Sequence, residues 1–127
     1  MARSIFPFFT IPTEYKQGIV TVLMSFEAGE QTATKIYFPF AVRIDKIRGI
    51  VMKAIGATDN GTITGANADG NSSGGVITCT ALDPVNTEYV ATPTTNNIVV
   101  AGSYYKLTSS KTTPGGRVLV TLEYTKI

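Results

Sequence analysis

The stretch AVRIDKIRGIVMKAIG, residues 41–56, reads in two ways. Ile44, Ile47, Val51 and Ile55 recur at helical spacing. Yet Gly49 sits mid-segment, where a helix loses roughly 1 kcal/mol relative to alanine. Ile47, Ile50, Val51 and Ile55 are all β-branched. The same residues also form two alternating runs, Val42–Ile44 and Ile47–Gly49–Val51, out of phase by one residue at Asp45–Lys46. A β-bulge produces such a slip, so we read a strand carrying a bulge.

Alternation with a period of two extends outward from this stretch. GIVTVLMSF (18–26) puts Val20, Val22, Met24 and Phe26 on one face. RVLVTLEYT (117–125) offers Val118 and Val120 as its core face. TKIYFPF, GTITGAN, GVITCTA, NNIVV and SYYKLTS are short and β-prone, and Gly, Asn, Ser or Pro separates them. Asn60-Gly61 is a two-residue hairpin signal, and Pro114-Gly115 suits a type II turn. NADGNSSGG reads as a loop tip, and DPVNTEYVATPTTNN as a second long connection. The sum is an all-β chain of about eight strands: a two-sheet sandwich of jelly-roll or Greek-key type, with an N-terminal extended arm. An immunoglobulin-like sandwich is the rival.

Composition narrows the chemistry. The chain has 127 residues, enough for one domain with an ordinary core. Apolar residues make up 43% and charged residues 16%, so the surface is rich in Thr, Ser, Asn and Gly. The net charge of +2 is scattered, which does not point to nucleic acid. The absence of histidine removes serine-triad chemistry and the commonest zinc ligand. Cys79, the single cysteine, reads as a small buried hydrophobe. No nucleotide-cradling glycine pattern occurs, so no cofactor is expected.

Asp59, Asp69, Asp83, Asn60, Asn67 and Asn71 lack EF-hand spacing and suit turns better than calcium. Glu14, Glu27, Glu30, Glu88 and Glu123 form no pair that argues for glycoside hydrolysis. The expectation is therefore no catalytic and no metal site. Tyr89, Tyr104 and Tyr105 would serve a glycan-binding module, with Tyr105 the residue to truncate. Tyr104 and Tyr105 face opposite ways in a strand, however, so one belongs to the core. No apolar run approaches the ~18 residues of a membrane-spanning helix, and Pro7 and Pro12 break the opening run as a signal peptide.

That opening run, MARSIFPFFTIP, precedes the strand pattern. We divide the chain into an extended arm, residues 1–13, and a sandwich domain, residues 14–127. The arm spans up to ~40 Å when extended, against a domain radius of gyration near ~14 Å. Fixing its backbone costs on the order of 12–24 kcal/mol. Burying Ile5, Phe6, Phe8, Phe9 and Ile11 returns about 1.5–3 kcal/mol each. The arm is ordered only where nearly every large side chain finds a pocket. It either folds back onto its own sandwich or docks on a neighbouring subunit. Ile5, Phe6, Phe8, Phe9 and Ile11 are the candidate interface residues.

The stretch FPFAVRIDKIRGIVMKAIGATDNGTITGANADG (38–70), with VAGSYYKLTSSKTTPGGRVLVTLEYTKI (100–127), resembles small structural proteins of tailed bacteriophages. The shared flow is V-x-I-x-K-I, then A-T-D-x-G-T-I-T, then a closing K-T-T-x-G-G-x-V-x-V-x-L-E-Y. The likeness carries no catalytic or ligand residue, and residues 71–99 and the arm have no counterpart in it. It implies a virion component made in the host cytoplasm: a head decoration or auxiliary capsid protein on the capsid surface. Its implied partners are a major capsid protein and its own copies, commonly as a trimer. A tail or connector protein would share the virion but not that location.

Overall fold

The computed structural model describes residues 16–70 and 75–127. Among these, nine strands form: β1 Gln17–Ser25, β2 Ala33–Tyr37, β3 Val42–Lys53, β4 Gly61–Asn67, β5 Val76–Cys79, β6 Glu88–Ala91, β7 Ile98–Val99, β8 Tyr104–Ser110 and β9 Arg117–Lys126. They build two antiparallel sheets. One runs β1-β9-β3-β6, with β7 also on β3; the other runs β2-β8-β4-β5.

The pairing order identifies the topology. β1 pairs with β9, β2 with β8, β3 with β6 and β4 with β5. Strands early in the chain thus pair with strands late in it, converging on the β4–β5 hairpin. That nesting, split across two sheets, is a jelly roll. The immunoglobulin-like alternative is thereby excluded. β6 lies inside the DPVNTEYVATPTTNN stretch read from sequence as a connection; only its Tyr-Val pair is strongly β-prone, so the run was too short to stand out.

Within the stretch 41–56 the strand runs Val42–Lys53; the first of its two irregularities falls where the phase slips, and the second lies between Val51 and Lys53. Ile44 pairs with Tyr124 and Lys46 with Glu123, leaving Asp45 as the extra residue. Val42, Ile44, Ile47 and Val51 are consequently all buried, although no single alternating period contains them. Asp45 is held in its bulge by Arg43 Nε at 2.7 Å and Thr125 Oγ1 at 2.5 Å. On the other side of β3, Asn97 spans the same point, with its carbonyl accepting from Ile44 N and its Nδ2 donating to Ile44 O.

The core lies between the sheets. Val118, Val120 and Leu122 of β9 meet Ile63, Ile77, Tyr105 and Leu107 of the opposite sheet. Cys79 is fully buried among them, and burial pushes its thiol up to about 12, so it acts as an inert hydrophobe. Aromatic rings lie over glycines: Tyr124 over Gly18, Phe26 over Gly61 and Tyr105 over Gly65.

Two turn expectations are corrected. Asn60-Gly61 is no hairpin; it lies on the crossing from β3 in one sheet to β4 in the other, and Asn60 Oδ1 accepts from Ala81 N. The β4–β5 hairpin instead turns near Asp69-Gly70, where Gly70 has φ 82 and Asn67 Oδ1 accepts from Asp69 N. Gly115 has φ 139, far from the ~80° of a type II turn. Gly115 N donates to Phe26 O and Gly56 N to Gly115 O, so this segment stitches loops together at one end of the sandwich.

Candidate interaction surface

The two outer faces differ in chemistry. On the β2-β8-β4-β5 sheet, Thr62, Thr64, Thr78, Thr108 and Ser110 point outward in register, with Lys35 opposite Lys106. That face is mainly hydroxyl-bearing, although Tyr37, 63% exposed, and Val76, 47% exposed, also stand on it. The outer face of the β1-β9-β3-β6 sheet carries an apolar row instead. Leu23 of β1 stands opposite Leu119 of β9, which stands opposite Ile50 of β3. Leu23 is 54% exposed, and Ile19, two residues earlier on β1, is 66% exposed.

Paired charges flank that row. Arg48 meets Glu123 across the strands, Arg43 meets Asp45 at 2.7 Å, and Lys53 meets Glu27. Arg117 grips Glu30 with Nη2 at 2.7 Å and Nε at 3.2 Å. A face whose charges are already matched among themselves sheds water at less cost than one with bare ions. An open depression of about 570 Å³, lined by Ile19, Lys46, Glu123 and Tyr124 among others, lies where β1 begins.

Glu27 and Glu30 are each held in the charged form by a cation. Arg117 first and the Ser25 hydroxyl second lower the Glu30 carboxyl from 4.5 to about 2. Lys53 first and Gly116 N second lower Glu27 too. A glycosidase acid requires the opposite shift. Because the folded value of Glu30 is depressed, its stabilising effect is complete above 4.5 and is lost as pH falls toward about 2. An NMR titration is expected to place the Glu30 midpoint near 2, and Arg117→Ala to return it toward 4.5. A midpoint near 4.5 in the unaltered chain would contradict the grip drawn here.

The turn residues are structural. Asp59 accepts from Lys111 Nζ at 3.0 Å, Thr112 N at 2.8 Å and Thr113 N at 3.1 Å. The buried Lys111 ammonium is the largest cause of its lowered pKa. Asp83 accepts from the Tyr89 hydroxyl at 2.6 Å, and Asn67 donates to Ile98 O. Glu14, Asn71 and the five arm residues Ile5, Phe6, Phe8, Phe9 and Ile11 lie outside the described residues.

Among the tyrosines, Tyr105 is completely buried, so its choice as a glycan contact is corrected. Tyr104 is the outward member of the pair. It meets Tyr37 edge-on at 5.4 Å, with Lys35 Nζ 4.6 Å from its ring. Tyr37, 63% exposed, carries no sequence signal of its own; only the β2–β8 register brings it to Tyr104.

No protein-family model matches the chain, and no curated protein matches it. Among solved structures, a chain of the cyanophage Pam1 capsid asymmetric unit is 14% identical with a TM-score of 0.45, covering 87% of this chain and 82% of that one. A chain of the Bacillus endospore appendages, described as disulfide-linked pili, is 18% identical with a TM-score of 0.34, covering 87% and 88%. The Macrobrachium rosenbergii nodavirus P-domain is 10% identical with a TM-score of 0.33, covering 88% and 94%. At such scores these likenesses carry no argument about function.

Proposed function

We propose that this chain is a non-enzymatic virion subunit, of the head decoration or auxiliary capsid type. The observation that carries the reading is the asymmetry of the sandwich. One outer face is mainly hydroxyl-bearing, with Tyr37 and Val76 also exposed, and the other carries a continuous apolar row, Leu23–Leu119–Ile50, flanked by ion pairs and by Glu88. A lone soluble domain has no use for the second face. The sequence likeness to small tailed-phage structural proteins supplies the setting. It does not depend on the jelly roll, a scaffold shared by capsid proteins, lectins and cupins.

In this reading the sandwich sets the spacing, and the arm (Ile5, Phe6, Phe8, Phe9, Ile11) makes the contact to a neighbouring subunit or to the capsid. Assembly into an oligomer, with a trimer favoured, multiplies a modest single-site affinity. Deleting residues 2–12 is expected to leave the circular dichroism of the domain unchanged while abolishing self-assembly, read by light scattering, and retention on capsids, read by co-sedimentation. Unchanged oligomer mass and unchanged capsid retention would overturn the proposal.

A further inference from the structure

Sheet edges are where one chain adds to another, and folded proteins blunt them. Three edges of this sandwich are blunted. β5 and β6 have four residues each, and β7, on the same side as β6, has two. β2 has five residues and carries Lys35 near its middle. β1 is different. It runs nine residues, QGIVTVLMS, with no charge and no proline, and no strand pairs its far side among the described residues. Among the described residues, the backbone groups on that side have no strand beside them.

The side chains of β1 are unfinished in the same place. Outward, Ile19 and Leu23 are more than half exposed. Inward, Val20 and Val22 pack on the core yet stay partly open, whereas Val118, Val120 and Leu122 on the adjacent β9 are completely buried. One more strand beside β1 would cover both sets, provided it were apolar on both faces. The segment Ile5–Ile11 has that unusual composition. In an extended chain Ile5, Phe9 and Ile11 face one way, and Phe6 and Phe8 the other. Pro7 lacks a donor, so a strand containing it pairs well on one side only and ends the addition instead of propagating it.

We propose that residues Ile5–Ile11 of a second copy add as a strand to the free edge of β1. The inference rests on the arm-docking reading above, and it names the acceptor that reading leaves open. Each copy would then donate an arm and accept one, an arrangement that closes into a ring or a reciprocal pair.

The test compares three full-length or near-full-length proteins by light scattering: the unaltered chain, the 2–12 deletion, and an Ile19→Lys/Leu23→Lys double variant. Both lysines replace exposed side chains, so the fold should survive. The expected result is an oligomer for the first, and monomers for the other two, with at least tenfold weaker association. If the lysine variant keeps the oligomer mass while the deletion loses it, the acceptor is elsewhere: this inference fails and arm docking stands. If all three proteins have monomer mass, docking between copies fails, and this inference with it; the capsid co-sedimentation described above then decides whether the arm docks on the capsid. Should the lysine variant not fold, Thr10→Cys/Thr21→Cys chains treated with a short bis-maleimide answer instead; native Cys79 is buried and inert. Links between chains joining positions 10 and 21 support the proposal, whereas links within one chain, or none, overturn it.

Discussion

Deleting Arg48 should cripple the fold, whereas deleting Asp45, three positions earlier, should leave it standing. Asp45 is the extra residue of the bulge, between Ile44 opposite Tyr124 and Lys46 opposite Glu123. Its removal makes Lys46 follow Ile44 directly, and the ladder to β9 becomes regular. Val42, Ile44, Ile47, Gly49 and Val51 then alternate without interruption and all remain inward. What is lost is the pair of contacts to Arg43 and Thr125, together with a readjustment of the Asn97 loop. That amounts to about 1–3 kcal/mol.

Removing Arg48 has the opposite effect, because it lies in a regular part of the ladder. The side chains from Gly49 to Val51, up to the second irregularity before Lys53, change face. Ile50 is driven into the site of Gly49, where even a Cβ would sit 3.0 Å from Val118 Cγ1. Val51, completely buried, is turned out to water. Overpacking and lost burial together cost about 3–6 kcal/mol, a large part of the 5–15 kcal/mol that typically holds a domain together. Urea unfolding of the two deletions decides it. Equal losses in both would mean that the bulge is not where the register places it.

The second large effect is expected at Gly65. The Tyr105 ring covers this glycine, and a Cβ there would stand 2.6 Å from Tyr105 Cε2 and 2.7 Å from Cζ. Tyr105 cannot retreat, because it is completely buried against the opposite sheet. Gly65→Ala should therefore cost about 2–4 kcal/mol, as overpacking that displaces a core aromatic. Tyr105→Leu alone should also destabilise, through the cavity it leaves. The two together should cost less than their sum, since the smaller side chain makes room for the methyl group. Strict additivity in urea titrations would show that the ring does not rest on the glycine.

The fold was legible where period and phase could be counted. The slip at Asp45–Lys46 located the bulge, and Val20, Val22 and Met24 did form the inward face of β1, with Phe26 buried just past its end. Local turn chemistry was a poorer guide. Asn60-Gly61 has the residues of a tight hairpin, but nesting sends the chain to the other sheet there, and tertiary pairing outranks a dipeptide preference. The apolar row of Leu23, Leu119 and Ile50 was invisible because its members come from three strands that only register brings together. The same holds for Tyr37 beside Tyr104. Which of Tyr104 and Tyr105 would be core could not be told from two adjacent tyrosines; the glycine across the strands decides it.

The nesting of β1 against β9 also bears on synthesis. Both interior positions of the first sheet belong to β3 and β9, and β1 has no other strand to lean on among the described residues. While the ribosome is still at work, β1 therefore waits as an unpartnered ribbon until nearly the whole sandwich has been translated. Closing so long a loop is slow. During that interval the nascent polypeptide needs a chaperone or a sheltered exit more than most chains of its size, and truncation before β9 should yield aggregates, not a smaller domain.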